Sequence, residues 1–339
     1  MKKLKLGGNN ILLAITVVLF VVMYLGGCVI YADKGFTHFQ TFLNVLINNA
    51  GLIAVASGMT CVMLTGGIDI SVGSLIAMDC MFLAVGIENW GIKSPILILI
   101  ILVIGILFGA VQGYCVAYLE IQPFIVTMAG MFFARGMTAV ICKDQVSIVS
   151  DKLFTAISNM KINIPFGGYE NKKGIYQVPF VRPTVIVALI VVVLVYLMLK
   201  YTKFGRSIYA VGGNQVSAAL MGLNVRKTKL FTYILCSFLT SIGGICYCLN
   251  TMCGTTTQAA GLEMDAISSS VIGGTLLTGG VGNVLGSLVG VLINGTISTL
   301  VKSNGKLVSS WANIITAILL CFFILLQAVF AKVKESKKA

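Results

Sequence analysis

Catalysis needs a base, and this sequence offers little of one: its single histidine is His38. No GxxxxGK[ST], HExxH or GxSxG is present, so neither a P-loop nor a His-based catalytic centre is written in the chain. The ten cysteines stand mostly singly in apolar stretches, as at Cys28, Cys61, Cys80, Cys115, Cys236 and Cys321, and read as small packing residues. No metal site and no bound cofactor are expected. Cys142 and Cys253 fall near one face and leave a disulfide open. What remains are polar side chains that bind rather than transform: Asp69, Ser71, Asp79, Gln112, Arg135, Glu263 and Asp265. Carboxylates, amides and hydroxyls are the groups that hydrogen-bond a hydroxyl-rich solute, so these seven are candidates for lining a substrate path.

Each has a plainer reading beside that one. Asp69, in LTGGIDISVGSLI (64–76), stands where a carboxylate caps the next helix, and equally where it gates a path. Arg135, in PFIVTMAGMFFARGM, is a cation inside an apolar segment; it must face a polar cavity, an acid or the headgroups. Glu263 and Asp265 follow the polar run Thr255, Thr256, Thr257, Gln258 and either cap a short segment or face an outer vestibule. Asp79 is where an ion-coupled carrier would hold its ion, or it pairs with a polar neighbour.

The elements that carry these residues belong to a membrane. The chain is 58% hydrophobic and 10% charged, with apolar runs of the roughly 20 residues that cross a bilayer. Apolar spans fall near 11–30, 43–64, 70–87, 95–118, 123–142, 184–200, 230–250, 266–278, 284–301 and 311–331, giving about ten crossings. Backbone pairing within hydrocarbon makes them helices, and the absence of period-two alternation excludes a barrel. The fold class is therefore an all-α integral membrane protein forming one polytopic unit over 1–339. Its net charge of +13 is not a nucleic-acid footprint, because the cations cluster at the ends and in two loops.

Lys2, Lys3 and Lys5 precede a first apolar stretch that ends in Leu25-Gly26-Gly27-Cys28, a likeness to a lipoprotein signal. Its length instead marks a retained helix with the N-terminus inside. Loop 201–229 then falls inside with Lys203, Arg206, Arg226, Lys227 and Lys229. The tail, with Lys332, Lys334, Lys337 and Lys338 against Glu335, is inside as well, so both termini are expected in the cytoplasm. The mixed-charge loop 143–182 falls outside.

LTGGIDISVGSLI is written again as LTGGVGNVLGSLV (277–289), with Gly282 in the place of Asp69. Gly66, Gly67, Gly279 and Gly280 are read as matching helix breaks of a pseudo-repeat, a mark of transporters. Gly105, Gly109 and Gly113 form a ladder four residues apart, as do Gly282, Gly286 and Gly290, and each offers a flat stripe for helix packing. In FGRSIYAVGGNQVSAALMGLNVRKTK (204–229), Gly212, Gly213 and Asn214 make a turn opening a short helix with Ala218 and Ala219, and Gly222 suits its end. A short helix with a small-residue face and a cationic fringe reads as a docking element.

Four segments, LTGGIDISVGSLIA, PFIVTMAGMFFARGM, FGRSIYAVGGNQVSAALMGLNV and DAISSSVIGGTLLTGGVGNVLGSLVGVLI, together resemble the sugar permeases of bacterial ABC importers, the ribose/galactose/xylose family. EMDAI, FFARG and SSWANII look most like a permease of the galactofuranose importers. The resemblance runs from about residue 40 to the end. It implies the ABC importer permease fold in the bacterial inner membrane, ATPase subunits that use the ATP, an extracytoplasmic sugar-binding protein, and a second copy or a sister permease. The helix near 212–222 would be the coupling helix, with Asn214 and Ala218-Ala219 where other importers carry Glu-Ala-Ala. An ion-coupled secondary sugar transporter is the rival reading.

Overall fold

The computed structural model describes residues 8–170, 176–305, 307–308 and 310–336; Lys2, Lys3, Lys5, Lys337 and Lys338 lie outside the described residues. The chain is helical almost throughout. The first half contains α1 (Gly8–Ile30), α2 (Phe39–Asn48), α3 (Ala50–Leu64), α4 (Val72–Glu88), α5 (Ser94–Ala117), α6 (Pro123–Ile141) and α7 (Lys152–Asn159). The second contains α8 (Pro183–Tyr201), α9 (Lys203–Gly213), α10 (Gln215–Leu220), α11 (Val225–Thr251), α12 (Leu262–Ile272), α13 (Val284–Asn304) and α14 (Ser310–Ser336). Proline in the first turn opens α5, α6 and α8, where its missing amide costs no helical bond. Three two-residue antiparallel strand pairs tie the connections together at the end of the molecule that carries α7.

Among the described residues, seven helices are long and apolar enough to cross a membrane: α1, α5, α6, α8, α11, α13 and α14. The pair α2 and α3, bent by 57° at Asn49, makes an eighth. The other two expected spans are shorter. The one near 70–87 is α4, with 17 residues, and the one near 266–278 is α12, with only 11. Eleven residues rise roughly 16 Å, about half of a hydrocarbon layer. The chain therefore finishes that passage as non-helical backbone, from Gly273 to Asn283, which is tolerated at such depth only when protein surrounds it. A second correction concerns 201–229, expected as a loop around one short helix. Its first part is helix α9, capped by Thr202, whose hydroxyl accepts from the Gly205 amide at 3.0 Å.

Every residue of α3, and all of α4 except Phe82 and its last residue, is buried. These two helices form a core enclosed by α5, α6, α8, α11, α12 and α13. The first glycine ladder packs within the chain: Gly105, Gly109 and Gly113 face Ser241, Tyr233 and Leu230 of α11. In the second, Gly286 and Gly290 face Gly273 and Ser269, while Gly282 precedes the helix and meets Thr275. Outward-facing Val18, Leu99, Phe132, Ile190 and Ile318 give α1, α5, α6, α8 and α14 the apolar exterior a bilayer requires. Cys142 and Cys253 are both free thiols.

Candidate functional site

The two glycine breaks meet each other at the end of the molecule that carries α9 and α10. Gly66 and Gly279 occupy matching places with φ of +78° and +89°, a conformation that a side chain disfavours. The first turn closes through the Gly66 amide to the Met63 carbonyl, 2.9 Å, and the Gly67 amide to the Val62 carbonyl, 3.1 Å. In the second, the Gly280 amide leaves its own turn and donates to the Leu64 carbonyl, the last of α3, at 2.9 Å. The end of α9 completes the junction. Gly212 lies against the Leu64 carbonyl and the Gly280 amide so closely that a Cβ would collide with both. One turn earlier, the Tyr209 hydroxyl donates to the Gly282 carbonyl at 3.0 Å. Gly213, by contrast, has open space where a side chain would sit.

Beyond that junction, Asp69 is fully buried. Its Oδ1 accepts from the Ser71 amide at 2.9 Å and the Ser71 hydroxyl at 2.6 Å. Gln112 of α5 extends the chain, donating from Nε2 to Ser71 Oγ at 2.9 Å. Asp69 thus braces the turn leading into α4 and does not cap the amides of its first turn, since the helix starts at Val72 and Ser71 precedes it. The Tyr233 hydroxyl donates to the neighbouring Ile68 carbonyl at 3.4 Å.

Arg135, Glu263 and Asp265 gather at a different place. The Arg135 guanidinium does not reach for headgroups: Nη1 donates to the carbonyls of Thr256, 3.0 Å, and Gln258, 2.8 Å. Gln258, itself buried, accepts from the Thr255 amide at 2.9 Å and donates to the Thr251 hydroxyl at 3.0 Å. The resulting loop holds Met252 and Ala259 at φ of +53° and +54°, positions that non-glycine residues rarely take. It runs down α4 until the Ala259 carbonyl and the Glu263 side chain rest on Gly73. Gly73 lies about four turns below the α7 end of α4, roughly 22 Å at 1.5 Å per residue. Glu263 is therefore deep in the membrane. Its Oε1 accepts from the Gly261 amide at 3.2 Å, and its Oε2 is buried with no hydrogen-bond partner. Asp265 is partly exposed; its carbonyl accepts from the Ser268 hydroxyl at 3.1 Å and from Asn294 Nδ2 at 3.4 Å. Thr257, Gly261 and Met264 open onto the same surface. Ionisable groups at such depth face the bundle interior or a water-filled cavity, and Glu263 and Asp265 are both half-buried here.

Asp79 stands apart from both groups. It is buried against Gly244, with Ser241 nearby, and neither carboxylate oxygen has a hydrogen-bond partner. Together with Gln112 it forms the floor of an apolar cleft between α5 and α6. Sequence reasoning passed over Asn294, although an amide in the middle of VLGSLVGVLINGTISTL was a visible signal. It also missed Tyr209, whose role depends on a partner 73 positions away.

The docking element is a helix as expected. Asn214 caps α10, accepting from the Ser217 amide at 2.8 Å, and Gly222 closes it at φ +81°. Gly212 and Gly213 end α9, however, and do not form the opening turn. Ala218 is buried and Ala219 exposed, while Val216, Leu220 and Met221 are exposed by 71%, 84% and 69%. An apolar tip of this kind, fringed by Lys203, Arg206, Arg226 and Lys227, is a surface built to be covered.

Comparison with known proteins identifies the family. The family model described as "Branched-chain amino acid transport system / permease component" matches residues 41–324. The inner membrane ABC transporter permease protein YjfF of Escherichia coli (strain K12) is 39% identical over 331 residues, 98% of this chain and 96% of the relative. The fructose import permease protein FruG of Bifidobacterium longum (strain NCC 2705) is 35% identical, over 99% and 96% of the two chains. The ribose import permease protein RbsC of E. coli (strain K12) is 36% identical over 268 residues, 78% and 79% of the two. No solved structure matches the chain. The chain belongs to the permease-component family that this model describes, as a multi-pass membrane protein.

Proposed function

We propose that this chain is the membrane-spanning subunit of an ATP-driven monosaccharide importer. The observation that carries the reading is the junction: between α9 and the exposed α10, Gly212 at the end of α9 is pressed against both helix breaks. In this reading α10 seats its Val216, Leu220 and Met221 tip in an ATPase subunit, which binds and hydrolyses the ATP. The permease itself binds no cofactor and catalyses no reaction. Closure of the ATPases displaces α9, and the contact at Gly212 passes that displacement to the two breaks. Such a shift requires contacts that differ between the outward-open and inward-open states.

In this reading the end carrying α10 and its cationic rim, with both termini, faces the cytoplasm, as the positive-inside rule favours. The α7 end then faces the sugar-binding protein, and a second copy or a sister permease completes the path. The partly exposed polar strip around Glu263 and Asp265 supplies the acceptors that sugar hydroxyls need. The relatives include ribose and fructose import permeases, which supports a monosaccharide of pentose or hexose type; a galactofuranose-like sugar fits the same reading. The test is uptake by proteoliposomes that hold the permease with its ATPase and binding protein. Uptake is expected only with ATP on the ATPase side, and Leu220→Asp should abolish it by breaking the dock. Uptake that survives without ATP and collapses with an ion gradient would favour ion coupling, with Asp79 as the ion site.

A further inference from the structure

We infer that the cleft between α5 and α6 is a binding site for one anionic phospholipid of the leaflet on the α10 side, with its headgroup phosphate beside the docking helix. The cleft measures about 920 Å³ and is walled by apolar side chains, among them Met78, Phe82, Phe108, Phe133 and Met137. Its polar side-chain groups are few: Asp79 and Gln112 on the floor, the Cys115 thiol and the Trp90 indole. A sugar with several hydroxyls would go unsatisfied there, and each unmet group costs free energy. Hydrocarbon is under no such penalty. Along α5 the lining runs from Ile104 to Cys115, roughly 16 Å of helix, and Trp90 and Ile141 continue the wall toward the α7 end.

The headgroup end is built as well. At the α10 end the cleft shares Ile121 with a second cavity, of about 560 Å³, lined by Glu120, Gln122, Gln215, Val216, Ala219, Arg226 and Lys229. Two cations face one carboxylate in it. Arg226 spends one nitrogen on Glu120, Nη2 to Oε1 at 3.2 Å, while Lys229 donates only to the neutral Gln215 Oε1 at 3.0 Å. An apolar slot that opens at its α10 end into a net positive pocket matches an acyl chain with an anionic phosphate. A zwitterionic lipid would fill the slot without the charge match. Because Gln215, Val216 and Ala219 belong to α10, the bound headgroup touches the docking helix itself.

The site is independent of which solute is transported, and it is tested on the full-length permease without any sugar. Native mass spectrometry of protein extracted from vesicles of equal phosphatidylglycerol and phosphatidylcholine should show one retained phosphatidylglycerol. A phosphatidylglycerol with a photoreactive acyl chain should label α5 near Phe108 and α6 near Phe133. Ala129→Trp, which fills the exposed slot, should remove both signals. The surface pair Arg226→Gln and Lys229→Gln should keep the acyl labelling and lower the preference for phosphatidylglycerol about fivefold per charge. Labelling of α8 and α14 as strong as that of α5 and α6 would overturn the site, as would equal retention of the two lipids by the unmodified chain. Occupation of the cleft by a helix of a second permease, seen as labelling lost on assembly, would overturn it too.

Discussion

The two glycine breaks share a sequence pattern and are held by different sets of partners. The first is braced from within: Asp69 ties Ser71 across the turn, and a side chain at Gly66 would meet only the Thr278 carbonyl, at 3.5 Å. The second has no side chain at Gly282 to do this. Its own turn bonds, from the Gly279 amide to the Leu276 carbonyl at 3.1 Å and from the Leu276 amide to the Val281 carbonyl at 2.9 Å, are joined by ties to its neighbours through the Leu64 carbonyl and the Tyr209 hydroxyl, and Asn283 accepts from the Leu285 amide at 3.1 Å. A self-braced turn keeps its shape when its surroundings move. The second break adds ties to α3 and α9 to its own turn bonds, so α9 touches it at two places, Gly212 and Tyr209, and the first break at Gly212 alone.

The sharpest way to break this comparison is at Gly73 and Gly286, which occupy the same place in the two copies. A methyl at Gly286 would enter the backbone of Gly273, which cannot give way, whereas at Gly73 it would meet the flexible end of Glu263 and the Ala259 carbonyl at 2.8 Å. Gly286→Ala should destabilise the purified permease by about 3 kcal/mol and Gly73→Ala by roughly 1 kcal/mol, read from thermal unfolding in detergent. Equal losses would erase the difference. A smaller effect separates the two braces. Tyr209→Phe removes a bond that crosses from α9 to the second break, and should lower uptake severalfold while ATP hydrolysis continues. Asp69→Asn keeps the Oδ1 acceptor for both Ser71 bonds and should leave uptake within about twofold. A larger loss in Asp69→Asn would mean that the charge itself acts in transport.

Much of this was legible in the sequence because local rules decide it. The helical membrane class follows from the apolar runs, and the cap at Asn214 and the close at Gly222 from turn chemistry. The repeat could be read from LTGG and GSL alone, and α4 and α13 do begin one residue apart in the matched copies, at Val72 and Val284. Depth was less legible. A run of apolar residues near 266–278 looks like a crossing, but Gly273, Gly274 and the paired Gly279 and Gly280 stop the helix at Ile272. Tertiary contacts were not legible at all. Nothing local says that Arg135 will hold carbonyls 121 and 123 positions away, or that Gly212 and not Gly213 will bear on both breaks.

That last distinction gives the most direct test. Gly212→Ala and Gly213→Ala are adjacent, chemically identical substitutions at the end of one helix, and they should be compared in the assembled importer for sugar uptake and ATP hydrolysis side by side. Uptake should be lost in Gly212→Ala while the ATPase still binds and turns over, and Gly213→Ala should transport within about twofold of the unmodified chain, since open space receives its methyl. Equal, near-normal uptake in both variants would contradict the claim that the docking helices drive the breaks through Gly212.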